Sequence, residues 1–232
     1  TESSRTWAIG GKRATFDEAN SRRLFIEDSI LDIILETETD QSITSRIYRG
    51  NSRPFIFVRG SGTSLKTLTA SGDFILLDQG QNSSMTLYNL KFVGSANNTS
   101  YATGGGALRV RSCRFGDEGQ NTNYLSAIKS SNYASAVSAE QCVLYGQGSS
   151  VANGIGLHSI YYASNGVQAR DCFIKDFNYG ALTAQNRVQL TNCIITNATV
   201  GFKSDVHGIY VDGCIFHQIS TDAIQHNSSP QS

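Results

Sequence analysis

The residues Val167-Gln168-Ala169-Arg170-Asp171-Cys172-Phe173-Ile174 show a pattern that recurs along the chain. Apolar and polar residues alternate, one residue interrupts the alternation, and a cysteine and an apolar residue follow. Six segments carry the pattern, the first with leucine in place of cysteine: 85–92, 108–115, 137–144, 167–174, 188–195 and 209–216. Alternation predicts a strand with one buried face, and a regular repeat predicts coils that bury apolar side chains against one another.

The interrupting position is rich in residues that adopt a left-handed backbone at low cost. Its six occupants are Asn89, Ser112, Gln141, Asp171, Asn192 and Gly213. Each copy is therefore predicted to contain a strand, a sharp corner and a second strand. Asp176 and Asn197 are interpreted as further turn residues.

The position after the corner predicts a ladder in the core: Leu90, Cys113, Cys142, Cys172, Cys193 and Cys214. Side chains one coil apart stack in parallel at about 4.8 Å, and this stacking does not readily supply the Cβ directions of a disulfide. A metal or redox site would be supported by Cys-x-x-Cys spacing or a nearby histidine, and neither occurs. We expect buried free thiols that act as small hydrophobic residues, and no metal or cofactor.

The last three cysteines are spaced by 21 residues, a length that suits three short strands and three turns. This coil pattern resembles the right-handed parallel β-helix of the pectate-lyase-like superfamily. The resemblance implies an all-β solenoid with about three strands per coil. We expect an N-terminal segment over 1–50 with a capping helix at 16–24, a β-helix over 51–227 and a polar tail over 228–232.

Composition limits the functional classes. The chain has 232 residues, of which 16% are charged, and its formal net charge is zero. This balance gives no basic footprint for nucleic acid, and no stretch is long and apolar enough to insert into a membrane. The N-terminus lacks a signal sequence, which favours assembly in a cytoplasm; a signal removed beforehand, and hence secretion, is the alternative.

The catalytic motifs of β-helix enzymes are not present in order. The nearest approach to a Gly-His-Gly segment is Val206-His207-Gly208, no Asp-Asp pair occurs, and the sole tryptophan is Trp7. Glu140 and Asp212 occupy equivalent outward positions but lie several coils apart, so no catalytic residue is predicted. The four histidines, at 158, 207, 217 and 226, are expected in turns or at exposed outward positions.

The outward positions of the first strand predict a hydrophilic ladder. Long planar side chains in such a ladder suit bidentate contacts with sugar hydroxyls or carboxylates. The candidate glycan-binding residues are Arg109, Arg111, Glu140, Arg170, Tyr210 and Asp212. The alternative is an ordinary solvated sheet face.

The second strand predicts a different surface. Its first outward position changes from Lys91 and Arg114 to four apolar residues in the last four coils: Val143, Phe173, Ile194 and Ile215. These four residues, named here the apolar stripe, are candidates for an interface in an oligomer. The alternative is that a loop of this chain, such as 116–135 or 146–160, covers the stripe.

Hypotheses from different functional classes remain open. The chain resembles the β-helical spikes, fibres and decoration proteins of bacteriophages. That resemblance implies a non-catalytic structural or adhesive virion protein, assembled in the host cytoplasm as a homo-oligomer or with other virion subunits, that binds host-surface polysaccharide. The alternatives are a polysaccharide lyase or glycoside hydrolase of the pectate-lyase-like fold, and a binding module of a larger secreted protein.

Overall fold

The fold is described from a computed structural model. It describes the following residues: 7–8, 33–43, 56–70, 76–77, 84–94, 100–104, 107–119, 126–130, 137–149, 154–159, 167–183, 188–204 and 209–226. The predicted helix at 16–24 and the tail at 228–232 lie outside them.

Strands are the regular elements of the described residues, and these residues form no helix. The strands are β1 (Trp7–Ala8), β2 (Ile33–Thr37), β3 (Gln41–Ile43), β4 (Ile56–Gly60), β5 (Lys66–Ala70), β6 (Leu76–Leu77), β7 (Ser84–Tyr88), β8 (Leu90–Gly94), β9 (Ser100–Gly104), β10 (Ala107–Arg111), β11 (Arg114–Phe115), β12 (Ser126–Ser130), β13 (Val137–Glu140), β14 (Val143–Tyr145), β15 (Ile155–Ser159), β16 (Val167–Arg170), β17 (Phe173–Thr183), β18 (Val188–Thr191), β19 (Ile194–Ser204), β20 (Ile209–Asp212) and β21 (Ile215–His226).

The strands form two sheets, and the strand pairs in both are parallel. The first sheet has the order β1-β2-β4-β7-β10-β13-β16-β18-β20. The second sheet has the order β3-β5-β8-β11-β14-β17-β15-β12-β9-β6. Strand β19 pairs with β17, and β21 pairs with β19. The chain therefore returns to the same sheet once per coil, which is consistent with a parallel β-helix. Pairing begins before residue 51, because β2 pairs with β4 and β3 with β5.

The six predicted corners are confirmed by the backbone. All six residues have φ between 51° and 60°. Each corner N–H, with the exception of Gly213 in the last coil, donates to a carbonyl of the next coil; that of Gln141 reaches the Arg170 oxygen at 2.9 Å. Asp176 and Asn197 also have positive φ, and Gln218 adds a corner that the sequence did not predict. The corners are thus stacked and hydrogen-bonded from coil to coil.

The ladder residues line the core. Leu90, Cys113, Cys142, Cys172 and Cys193 are buried, Cys214 in the last coil is partly exposed, and all five thiols are free. Burial raises the pKa of Cys113 to about 12. The pKa of Cys172 is also raised to about 12, mainly by its hydrogen bond with Cys142 and further by burial. These thiols are therefore protonated and unreactive near neutral pH.

Three stacked glycines let successive coils approach closely in the second sheet. Gly156, Gly180 and Gly201 are buried. A Cβ on Gly180 would lie 2.5 Å from the carbonyl oxygen of Gly201 and 2.5 Å from Cγ2 of Ile195. No side chain fits there without displacement of the next coil.

Candidate functional site

Two columns of side chains project from the outer face of the first sheet. They alternate with inward residues such as Val58, Leu87 and Val110, which are buried. The in-register strands stack the first column as Phe57, Thr86, Arg109, Ser138, Gln168, Gln189 and Tyr210. They stack the second as Glu36, Arg59, Tyr88, Arg111, Glu140, Arg170, Thr191 and Asp212. The six candidate glycan-binding residues thus belong to these two columns.

Ion pairs neutralise most of the charge in the second column. Arg59 Nη2 lies 2.6 Å from Glu36 Oε2. Glu140 is flanked by two arginines: its Oε1 accepts from Arg170 Nη2 at 2.5 Å, and its Oε2 lies 3.6 Å from Arg111 Nε. The hydrogen bond from Arg170 lowers the pKa of Glu140. Glu140 is therefore ionised near neutral pH and unsuited to act as a general acid.

Two groups on this face have unused hydrogen-bonding capacity. Arg109 is exposed and has no ion-pair or hydrogen-bond partner among the described residues. The Nε atom of Arg59 is inaccessible to solvent and has no partner either. An unsatisfied buried N–H is a local cost of the fold, so the exposed guanidinium of Arg109 is the group that a bound molecule can reach.

Arg59 and Arg109 both line one shallow depression of about 530 Å³. Its wall and floor consist of Phe57, Arg59, Thr86, Tyr88, Arg109, Val110, Arg111, Ser138 and Glu140. Three arginines and one carboxylate give it a local charge of +2, although the whole chain is neutral. The two exposed or half-buried aromatic rings supply an apolar contact area beside these donors.

A second depression of about 240 Å³ lies further along the same face, and Gln168, Arg170 and Gln189 contribute to it. Two predicted candidates, Tyr210 and Asp212, lie in the last coil, outside both depressions. Asp212 is three strands away from Glu140, or roughly 14 Å, which exceeds the separations of carboxylate pairs in glycosidases. The structure therefore brings together Arg109, Arg111 and Glu140 but separates Asp212 from them.

The sequence missed part of the larger depression. Phe57 and Arg59 come from β4, whose segment lacks the cysteine that marks the later coils. The spacing Phe55-x-Phe57 followed by Gly60 predicts a coil here, but its apolar phase includes Phe57, whereas the structure buries Val58 and turns Phe57 outward. Tyr88 lines the depression from the outer face of β7, although it is not among the six candidate glycan-binding residues.

The apolar stripe is in register on the second sheet. Val143, Phe173, Ile194 and Ile215 follow one another through β14, β17, β19 and β21. Their exposure increases toward the last coil, where Ile194 is 38% and Ile215 57% exposed. The Tyr145 ring lies edge-on to Phe173 at 6.0 Å. The last two stripe residues are thus open to a partner.

Residues 116–119 lie beside the N-terminal end of this stripe. Asp117 lies 2.7 Å from Lys91 Nζ and 2.8 Å from Arg114 Nη2, and Glu118 pairs with Lys175. These contacts join successive coils at the sheet surface but leave Ile194 and Ile215 exposed.

His158 corrects one expectation from the sequence. It occupies an outward position of β15, as predicted, but it is partly buried instead of exposed, and its neighbour in β12 is Lys129. Burial, assisted by the positive charge of Lys129, lowers the pKa of His158 to about 4. His217 and His226 are exposed, and His207 lies outside the described residues.

The described part of the chain contains no group of three or more His, Cys, Asp or Glu side chains arranged to hold a metal ion. A helix with the length and apolarity needed to cross a membrane is likewise absent from that part. No protein-family model matches the chain, and no curated protein and no solved structure matches it significantly.

Proposed function

We propose that this protein is a non-catalytic adhesive rod that binds saccharides on the outer face of its first sheet. The observation that carries the proposal is the larger depression, where the exposed guanidinium of Arg109, unpaired among the described residues, lies on one wall with Tyr88 and Phe57. Saccharides present many hydroxyl oxygens and one apolar ring face, which suits planar donors next to aromatic rings.

A rigid scaffold supports this role. The parallel strands hold the outward side chains at a repeat of about 4.8 Å, as in a right-handed β-helix of the pectate-lyase-like type. Because the backbone of such strands is already ordered, only the side chains lose conformational freedom when an extended polymer binds along them. The carboxylate distances and the ion-paired state of Glu140 support binding over hydrolysis.

The partner in the organism is proposed from resemblance to the β-helical spikes, fibres and decoration proteins of bacteriophages. In this proposal the rod is a virion component that contacts host-surface polysaccharide through the first sheet. The apolar stripe then joins it to a second copy or to another virion subunit, since contiguous exposed apolar patches mark interfaces.

The experiment is retention of the intact chain on immobilised polysaccharides, with the eluates assayed for cleavage products. The panel contains dextran, galactan, hyaluronan, alginate and polygalacturonate. We expect at least one polymer to retain the protein and to remain uncut. Tyr88→Ala should weaken that retention, whereas Thr69→Ala, an exposed change on the second sheet, should not.

Failure to bind any polymer would contradict a role in adhesion to saccharides. New reducing ends or unsaturated products would instead support the alternative of a polysaccharide lyase or glycoside hydrolase. Equal weakening of retention by Tyr88→Ala and Thr69→Ala would indicate that the binding surface is not on the first sheet.

A further inference from the structure

We propose that the larger depression selects a saccharide carrying a carboxylate, with Arg109 as the residue that binds the acid group. This inference rests on the proposed function and specifies the chemistry of its ligand. It follows from how charge is distributed among the arginines of the outer face.

The four arginines of this face differ in their partners. Arg59 pairs with Glu36, while Arg111 and Arg170 share Glu140, so three of the four already have a carboxylate. Arg109 has no such partner within the described part of the chain. Its guanidinium therefore keeps a full set of donors and an uncompensated charge at the edge of the depression.

The neighbouring contacts explain why Arg109 remains free. Glu140 is in the adjacent strand but in the second column, and it already accepts from Arg170 and contacts Arg111. The residue next to Arg109 in its own column is Ser138, which carries no charge. On the other side the neighbour is Thr86, also uncharged. The described residues thus leave Arg109 available to pair with an incoming anion.

The shape of the donor group favours a carboxylate. A guanidinium presents two parallel N–H groups that match the two coplanar oxygens of a carboxylate. The exposed part of the Arg59 guanidinium, in a strand two positions away and roughly 10 Å along the face, is placed for a hydroxyl of the same or the next sugar unit. Tyr88 lies in the strand between them and provides the surface under a ring.

The test compares each acidic polysaccharide with its carboxyl-reduced derivative, which keeps the sugar backbone and removes the charge. Hyaluronan, alginate and polygalacturonate serve as probes, and dextran sulfate with dextran forms the sulfate arm. We expect reduction of the carboxyl groups to weaken binding about 10- to 100-fold for a polymer that the protein retains, as loss of a charge-assisted pair predicts.

Arg109→Ala should produce a similar loss for the acidic polymer and a much smaller loss for its reduced derivative, to which Arg109 can donate only neutral hydrogen bonds. Arg109→Lys should recover part of the binding, because lysine keeps the charge but lacks the planar fork. Arg114→Ala is the matched control, since Arg114 lies on the second sheet with Asp117 as its partner.

Three results would overturn the inference. Equal retention of acidic and reduced polymers would show a site for neutral saccharides and would leave the proposed function intact. Retention of dextran sulfate alone would assign a sulfate site. Full acid binding by Arg109→Ala would place recognition of the carboxylate elsewhere. Absence of binding to every polymer would instead refute the proposed function itself.

Discussion

The partly buried position of His158 predicts a loss of stability in mild acid. Its pKa is about 4 in the folded chain, against 6.5 as its ordinary value. The folded state therefore binds fewer protons than the unfolded state between these two pH values. The stabilisation is complete above pH 6.5 and is lost as the pH falls toward 4. Applying the linkage relation to these two values gives a loss of about 2 kcal/mol between pH 7.5 and pH 5.

The assay is urea unfolding followed by circular dichroism at pH 7.5 and at pH 5. His158→Gln removes the titrating group, so its free energy of unfolding should change about 2 kcal/mol less than that of the wild type over this interval. His226→Gln, at an exposed position, should retain the wild-type dependence. Because each variant is compared with itself at two pH values, a uniform destabilisation by the substitution does not affect the result. Equal losses of free energy in His158→Gln and wild type would refute a partly buried histidine that is neutral in the folded state.

Three further substitutions test the core and the apolar stripe. Cys193→Ser should destabilise the fold by about 1–3 kcal/mol in urea unfolding, because a hydroxyl is buried where the thiol now lies; an unchanged midpoint would contradict burial there. Gly180→Ala should cost about 1–3 kcal/mol, since its Cβ would meet the Gly201 oxygen, and wild-type stability would show that the coils are not in this contact. Phe173→Asp should dissociate any oligomer in sedimentation velocity, and an unchanged assembly mass would remove the stripe from the interface.

The corners and the columns were predictable because local chemistry decides them. A residue such as Asn192 or Gly213 tolerates a positive φ, and this fixes where the alternation breaks. Once the corner is fixed, a period of two determines which side chains point outward. Repeat spacing then stacks equivalent positions, so the neighbours of Glu140 could be named from the sequence as Arg111 and Arg170.

The remaining features depend on packing that no single coil contains. The burial of His158 depends on what packs over an outward position, so alternation could not distinguish it from an exposed residue. The free state of Arg109 depends on which carboxylates the other arginines engage, which is a property of side-chain conformation. Phe57 and Arg59 were not predicted because the apolar spacing Phe55-x-Phe57 indicates the opposite phase of the strand from the one that buries Val58.

The most direct test of the account is a nuclear magnetic resonance titration that observes arginine side-chain Nε–Hε signals. The titrant is an oligosaccharide of the polymer that the protein retains. We predict that the signals of Arg59, Arg109 and Arg111 shift together, because all three line the larger depression. The signal of Arg114, on the second sheet, should stay in place. Shifts confined to Arg114, or an unchanged Arg109 signal at saturation, would contradict a saccharide site on the first sheet.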